Sequence, residues 1–529
     1  MAKKALKIVL ARCPKYMWPW VNESDNFLLP LGLPSIAAAL RDKKTQGVEL
    51  KIIDCPPLKI GWKTLERMLR EEKPDIVGAG EEALYHHESI KLFQLAKEIN
   101  PKVINMAGGH YFSWAVEESL NNYPIDIIIR FEGEETFPEL VGAVVQGRDL
   151  SQVKGIAYKA NGKVIITPPR PLINNLDDLP IPAYDLMPMR EYAPKGIFWP
   201  ESATIEGSRG CIDTCSYCSL WTFWGNQKAT DIHNGKLEVT PFSRRKSVAR
   251  TMQEVELLCE KYKRKILLWA DPTFNIDPEW TRQLCEEIIR RKYKVEHWVF
   301  LRADYCLRDE RLGVLELMVK AGFVHTLFGV ERSGEEEWKK VNKHGYKKDE
   351  IKELFSILKN KYPQVFRQAT FVTCLPFDDA KSMYNLAKYA VDIDCDFPVF
   401  HPATPTPGTY LYEEMIEKNY LEVKDLKEAY WEYPLLKNIN GMTRAQLAAI
   451  NRILHLYCLV FNIKTVLKGL FSKYPTKRYR YREVIRVFML MFVKIASSKV
   501  RECLTRKTED NELPQSLFFK QRKPAWYDD

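Results

Sequence analysis

Ser208-Arg-Gly-Cys-Ile-Asp-Thr-Cys-Ser-Tyr-Cys-Ser219 sets three cysteines, Cys211, Cys215 and Cys218, in a CxxxCxxC array. Thiolates bind iron, and three of them on one short loop can hold three corners of a 4Fe–4S cube. Iron–sulfur carriers normally supply four ligands, so a loop with three leaves one iron open. The competing reading is a structural zinc knuckle, which needs four ligands, usually in paired CxxC or CxxC/HxxxH units. After Cys218, neither cysteine nor histidine recurs until His233. The spacing favours the open cluster.

With Tyr217 just before the third cysteine, the array resembles that of the radical S-adenosylmethionine (SAM) superfamily. The resemblance implies that the open iron chelates the amino and carboxylate groups of SAM and passes an electron to its sulfonium.

Upstream, residues 1–150 alternate strand and helix patterns, the order of a doubly wound parallel sheet. Strands are expected at Lys7–Leu10, Glu49–Ile53, Asp75–Gly78, Val103–Ala107 and Ile125–Arg130, with helices between them. Two strands run into glycine turns, at Gly108-Gly109-His110 and at Glu132-Gly133-Glu134. Ligands of such sheets bind beyond the carboxyl ends of the strands. The landmarks Pro30-Leu-Gly-Leu-Pro34, Pro74-Asp-Ile-Val-Gly78, Gly108-Gly-His110 and Phe131-Glu-Gly-Glu134 resemble, in this order, the Rossmann-like cobalamin-binding domain that precedes many radical SAM enzymes. The resemblance implies cobalamin contacts from Gly108, Gly109, His110, Glu132 and Gly133. The DxHxxG motif that supplies a histidine to cobalt is missing; Asp231-Ile-His233-Asn-Gly235 is one residue short and lies in the wrong domain. Cobalamin is therefore expected without a histidine lower ligand, with His110 lining the pocket or packing.

Residues 151–200 read as a linker, with a hairpin around Asn161-Gly162 followed by a proline-rich extended run. From 201 to 410 the alternation resumes. Ile266–Trp269, His297–Leu301, Thr326–Gly329, Ala369–Thr373 and Phe397–Phe400, with the strand before the cysteines, make six. That matches the partial (β/α)6 barrel of radical SAM enzymes, whose chemistry sits at the carboxyl ends of the strands. The resemblance implies SAM contacts from Asp271, Arg302, Gly329 and Glu331, which end successive strands. Arg302 and Glu331 are also open to a plainer reading, a salt bridge at the barrel rim. His401 ends the sixth strand and is read either as an acid/base or substrate-binding residue or as packing. Cys374 reads as a core cysteine.

Trp221, Phe223 and Trp224 follow the cluster loop. This pattern resembles the branch holding the anaerobic magnesium-protoporphyrin monomethyl ester cyclase and the hopanoid methylases. The rings offer either a flat apolar wall for a large substrate or simple packing against the first domain.

Twelve cysteines, scattered apart from the triplet, fit a reducing cytoplasm rather than a disulfide framework. The first residues are too short in apolar run for a signal peptide, and no uninterrupted apolar run reaches bilayer-spanning length. The net charge of +10 is carried by 461–507, within the helical region 411–529, where thirteen Lys/Arg face two acidic residues. That basic stretch is read as a peripheral contact with a membrane surface, as a site for an acidic substrate, or as a solvated face. No nucleic-acid-binding module is legible.

Together these readings lead to a cobalamin-dependent radical SAM methyltransferase acting on an unactivated carbon of a large apolar substrate, an isoprenoid lipid or a tetrapyrrole. Its electron donor would be of the ferredoxin or flavodoxin type. The rivals are a ring-forming cyclase without methyl transfer and a non-catalytic cobalamin or iron–sulfur sensor.

Overall fold

The computed structural model describes residues 5–15, 28–80, 85–192, 201–227, 238–422, 434–486, 489 and 526–529. The chain first lays down β1 (Leu6–Arg12), β2 (Val48–Asp54), β3 (Ile76–Gly80), β4 (Ile104–Gly108) and β5 (Ile127–Ile129). They pair in parallel in the order β2-β1-β3-β4-β5. Side chains alternate across a strand, so Ile8 and Leu10 of β1 enter one core while Val9 and Ala11 enter the other. The helices Gly32–Asp42 and Gly133–Gln146 cover the first face, and Trp62–Glu72 and His86–Ile99 cover the second.

The hairpin forms as β6 (Ile156–Ala160) and β7 (Lys163–Ile166), and both Asn161 and Gly162 have positive φ at its turn. It is not part of a linker, however. β6 pairs antiparallel with β5, so the first sheet has seven strands and runs on to Ile166 rather than closing at residue 150. The proline-rich run then crosses the domain junction and buries Tyr184 and Tyr192 in a core shared with the barrel. The Tyr192 hydroxyl donates to Asp54 at the end of β2.

The second unit opens with β8 (Ser202–Ile205) and β9 (Ser208–Cys211), then a small ribbon of β10 (Asn226–Gln227) and β11 (Val239–Thr240). β12 (Phe242–Arg245) returns antiparallel to β9. β13 (Ile266–Trp269), β14 (Glu296–Leu301), β15 (His325–Glu331), β16 (Phe366–Thr373) and β17 (Phe397–Pro402) follow β8 in one parallel sheet of six. The sheet remains open between β8 and β17, which is the expected partial barrel.

Beyond it the described residues are largely helical, at Tyr410–Glu417, Arg444–Phe461 and Ile463–Leu470. A Thr443–Gln446 capping box starts the long helix, which packs Leu447, Leu454 and Cys458 into the barrel core. Residues 510–525 lie outside the described residues. Trp526–Asp529 lies against the first domain, where Trp62 donates its N–H to the Tyr527 carbonyl at 3.1 Å. The fit is close: a Cβ on Gly61 would fall 1.9 Å from the Trp526 carbonyl oxygen.

Candidate active site

β9 delivers the cysteine loop. Gly210, with φ +82°, lets the strand pass so near β12 that a Cβ would sit 2.0 Å from the Phe242 carbonyl oxygen. The loop is tied to the barrel mouth at several points. Ser216 donates its N–H to the Val341 carbonyl (3.0 Å), Leu411 donates to the Ser216 carbonyl (2.8 Å), and Asn342 donates to Thr214 (2.7 Å). Cys211 and Cys215 are buried and Cys218 half-buried. Burial pushes the Cys211 thiol up to about 11 and the Cys218 thiol up to about 12, and the neighbouring thiols raise Cys218 further. Three thiolates in so dry a pocket call for bound positive charge.

The strand ends surround this loop. Both carboxylate oxygens of Asp271 are engaged, by the Gly207 N–H at 2.9 Å and the Ser208 hydroxyl at 2.5 Å. Thr273, two residues on, places its hydroxyl 3.6 Å from the Cys211 sulfur. Asp271 thus braces the strand leading to the cysteines. Arg302 is buried, paired with Asp304 (2.7 Å) and with Asp213 inside the cysteine loop (2.8 Å). It takes part in a rim salt bridge, but its partners are aspartates rather than Glu331.

Glu331 has φ +68°, a left-handed conformation that is costly for a glutamate. Its carboxylate folds back over Gly329, where a Cβ would lie 2.5 Å from Oε1. Lys343 approaches that oxygen at 3.9 Å. Burial raises the Glu331 carboxyl, opposed by Lys343 and Tyr217. His401 lies on β17, and its enclosure, then His455, lowers it to about 4, so its imidazole is neutral near pH 7.

Across the domain seam, the Phe131-Glu-Gly-Glu134 segment grips the strand that carries the cluster. Arg209 donates to Glu132 (2.9 Å) and Glu134 (2.6 Å), and Arg244, its cross-strand neighbour on β12, donates to both oxygens of Glu132 at 2.9 Å. The Ile173 N–H also donates to Glu132 (2.8 Å). Glu132, grouped by sequence with the cobalamin contacts, is fully committed to joining the domains. The aromatic run packs along the same seam. Phe223 stacks on His110 with ring centroids 3.9 Å apart, Phe131 lies behind it at 5.6 Å, and Trp221 stacks on Tyr410. For Trp221 and Phe223 the packing reading is the one the structure displays.

Residues 17–141 match the B12 binding domain and residues 205–390 the radical SAM superfamily. The chain is 30% identical to the anaerobic magnesium-protoporphyrin IX monomethyl ester cyclase of Rubrivivax gelatinosus, over 79% of this chain and 71% of that one. The chain belongs to the B12-binding radical SAM family. This radical SAM enzyme is also 28% identical to the hopanoid C-3 methylase of Methylococcus capsulatus, over 60% of this chain and 56% of that one. Its fold resembles that of the radical SAM methyltransferase TsrM of Kitasatospora setae, solved with cobalamin and a [4Fe–4S] cluster, at TM-score 0.60 and 17% identity over 85% of this chain and 81% of that one. Family membership makes the chain an enzyme and sets the sensor reading aside.

The enzyme's cofactors are a 4Fe–4S cluster, SAM and cobalamin, and its residues fit them. The three thiols of one loop, two of them buried and one half-buried, suit the cluster. At the carboxyl edge of the first sheet, Gly80 and Gly108 approach so closely that a Cβ on Gly80 would lie 3.1 Å from the Gly108 carbonyl oxygen. Beside them Arg130 is only 2% exposed, yet its Nε and Nη2 have no hydrogen-bond partner among the described residues. Burial lowers it to about 10. The Trp114 indole N–H is likewise buried without an acceptor. Orphaned donors at a glycine-lined sheet edge suit a large polar cofactor such as cobalamin. The near-motif at 231–235 falls outside the described residues.

Sequence reading missed Lys343 and Arg130. A lysine after the fourth strand looks like any surface lysine, and its position beneath Cys215 follows from the turn at Val341–Asn342. Arg130 carried a signal, a charge ending a wholly apolar strand.

Proposed function

We propose that this enzyme transfers a methyl group to an unactivated carbon of a large apolar substrate. The observation that carries this reading is the seam itself. The carboxyl edge of the first sheet faces the cysteine loop across aromatic rings, with His110 on Phe223 and Phe131 behind. This packing sets the two cofactor regions side by side, as transfer between them requires, and the large apolar substrate class is taken from the relatives. Likeness to the hopanoid methylase supports methyl transfer, and an isoprenoid lipid is the substrate class this favours; a tetrapyrrole is the other.

When bound, the cluster supplies the electron that cleaves SAM, and cobalamin supplies the methyl group. The protein's own part is placement. Asp271 and Thr273 hold the cysteine loop, Arg302 fixes Asp213 within it, and Lys343 balances the negative charge of Cys215 and Glu331. His401 stays unprotonated near neutral pH, so it serves as a hydrogen-bond acceptor or base rather than an acid. A ferredoxin- or flavodoxin-type donor delivers the electron.

The 30% likeness to the cyclase favours a second reading, ring formation without methyl transfer. Product counting distinguishes them. A methyltransferase releases S-adenosylhomocysteine together with 5′-deoxyadenosine, whereas turnover yielding 5′-deoxyadenosine alone would overturn the methyl-transfer reading.

A further inference from the structure

The helix Arg444–Phe461 is apolar on both sides, but only one side is covered. Leu447, Leu454 and Cys458 enter the barrel core. Ile453, Leu456 and Val460, spaced three and four residues apart on another face, are exposed. The chain bends by 68° at Asn462 into the helix Ile463–Leu470. The exposed apolar surface continues through the bend, with Phe461 at 62%, Leu467 at 48% and Phe471 at 81% exposure. Tyr457 touches Phe461, and Tyr384 from the neighbouring barrel helix touches Tyr457, so two phenols border the patch. A soluble monomer seldom leaves so much contiguous apolar surface bare.

Its surroundings identify the partner. No acidic residue occurs between Pro434 and Arg482, while Lys464, Lys468 and Lys473 are exposed beside the apolar side chains. No single helix among the described residues is long and apolar enough to cross a membrane. With one face fixed to the barrel, the helix pair can only lie flat on whatever it meets. A second copy of the chain would bring the same lysines face to face and repel. An anionic bilayer satisfies both features: the apolar side chains enter the acyl boundary, the phenols sit at headgroup depth, and the lysines meet phosphate.

We infer that the face built from Ile453, Leu456, Val460, Phe461, Leu467 and Phe471 docks the enzyme peripherally on an anionic phospholipid surface. This goes beyond the proposed reaction and is read without turnover, so either can fail alone.

The test is flotation of the full-length, cluster-loaded protein with vesicles of phosphatidylcholine alone or mixed with phosphatidylglycerol. Wild type should float with the anionic vesicles, stay behind with the neutral ones, and be released by high salt. Lys464→Gln/Lys468→Gln/Lys473→Gln should weaken binding roughly a hundredfold, at about fivefold per lysine. Leu467→Asp/Phe471→Asp should abolish it with unchanged iron content and melting temperature. Should the aspartate variant misfold, the glutamine variant alone carries the test, since its substitutions are all at exposed positions. Wild type that stays behind with anionic vesicles, or either folded variant floating as wild type does, overturns the inference. Self-association of wild type that Leu467→Asp/Phe471→Asp disrupts, without vesicle binding, also overturns it and assigns the face to a second copy.

Discussion

Arg209 and Glu132 stand 77 positions apart in the chain, yet their side chains meet at 2.9 Å, both almost fully buried. The contact joins the residue two before the first cluster cysteine to the glycine turn of the other domain. With Glu134, Glu206 and Arg244 it forms a largely buried charge cluster.

Removing one member of a buried pair leaves the other charge unpaired, at a cost of about 3–5 kcal/mol. Arg209→Gln should therefore lose stability in that range, measured by urea unfolding. Arg41→Gln breaks a pair with Asp185 that is about half exposed, and should lose under ~1 kcal/mol. Equal losses in the two variants would show that the seam is not a special anchor.

Arg130 offers a buried cation whose Nε and Nη2 find no partner among the described residues, and cobalamin carries one phosphodiester, in its nucleotide tail. Arg130→Gln should weaken cobalamin binding by roughly tenfold or more, the ~1.5–3 kcal/mol of a charge-assisted hydrogen bond. Cobinamide, which lacks the nucleotide, should bind both proteins alike. Titration by visible absorbance reads both ligands, and an equal loss for the two would assign Arg130 to another part of the cofactor.

Gly329→Ala places a methyl group where the Glu331 carboxylate lies, 2.5 Å from Oε1. We expect displacement of Glu331 and Lys343, with SAM cleavage under reductant falling at least tenfold, about 1.4 kcal/mol, at normal iron content. Quantifying 5′-deoxyadenosine checks this, and wild-type yield would remove Glu331 from the SAM side of the barrel.

His297 lies fully buried in the barrel, accepting the Trp269 indole N–H at 3.0 Å and stacked on Phe323. Burial lowers it to about 3. The unfolded chain binds the proton first, so this contribution is intact above pH 6.5 and is lost as pH falls toward 3, by up to ~1.4 kcal/mol per unit. His297→Gln should flatten the acid limb of the stability–pH profile. Parallel limbs for the two proteins would contradict the assignment.

Much of the architecture could be read from patterns whose physics is local. The cysteine spacing, the buried apolar strands and the Asn161-Gly162 turn each depend on neighbours in sequence, and each formed where expected. What escaped depended on long-range pairing. That the hairpin would extend the first sheet is decided by the free edge of β5, which the hairpin residues do not encode. Glu132 looked like a ligand contact because its partners, Arg209 and Arg244, belong to the other domain. Arg302 and Asp271 stand at the expected strand ends, but their engagement by Asp213, Ser208 and Gly207 came only with the folded loop. The basic stretch from 461 was legible in the sequence, but the apolar face beside it around Phe461 was not, because it depends on the barrel covering only one side of the helix.

The charge cluster at Arg209 also bears on time. A domain that swings on a hinge sets turnover by a collective motion of microseconds to milliseconds. Here buried ion pairs tie the turn at Glu132 and Glu134 to the strand leading into the cysteines, so a hinge opening at this seam would leave those charges unpaired.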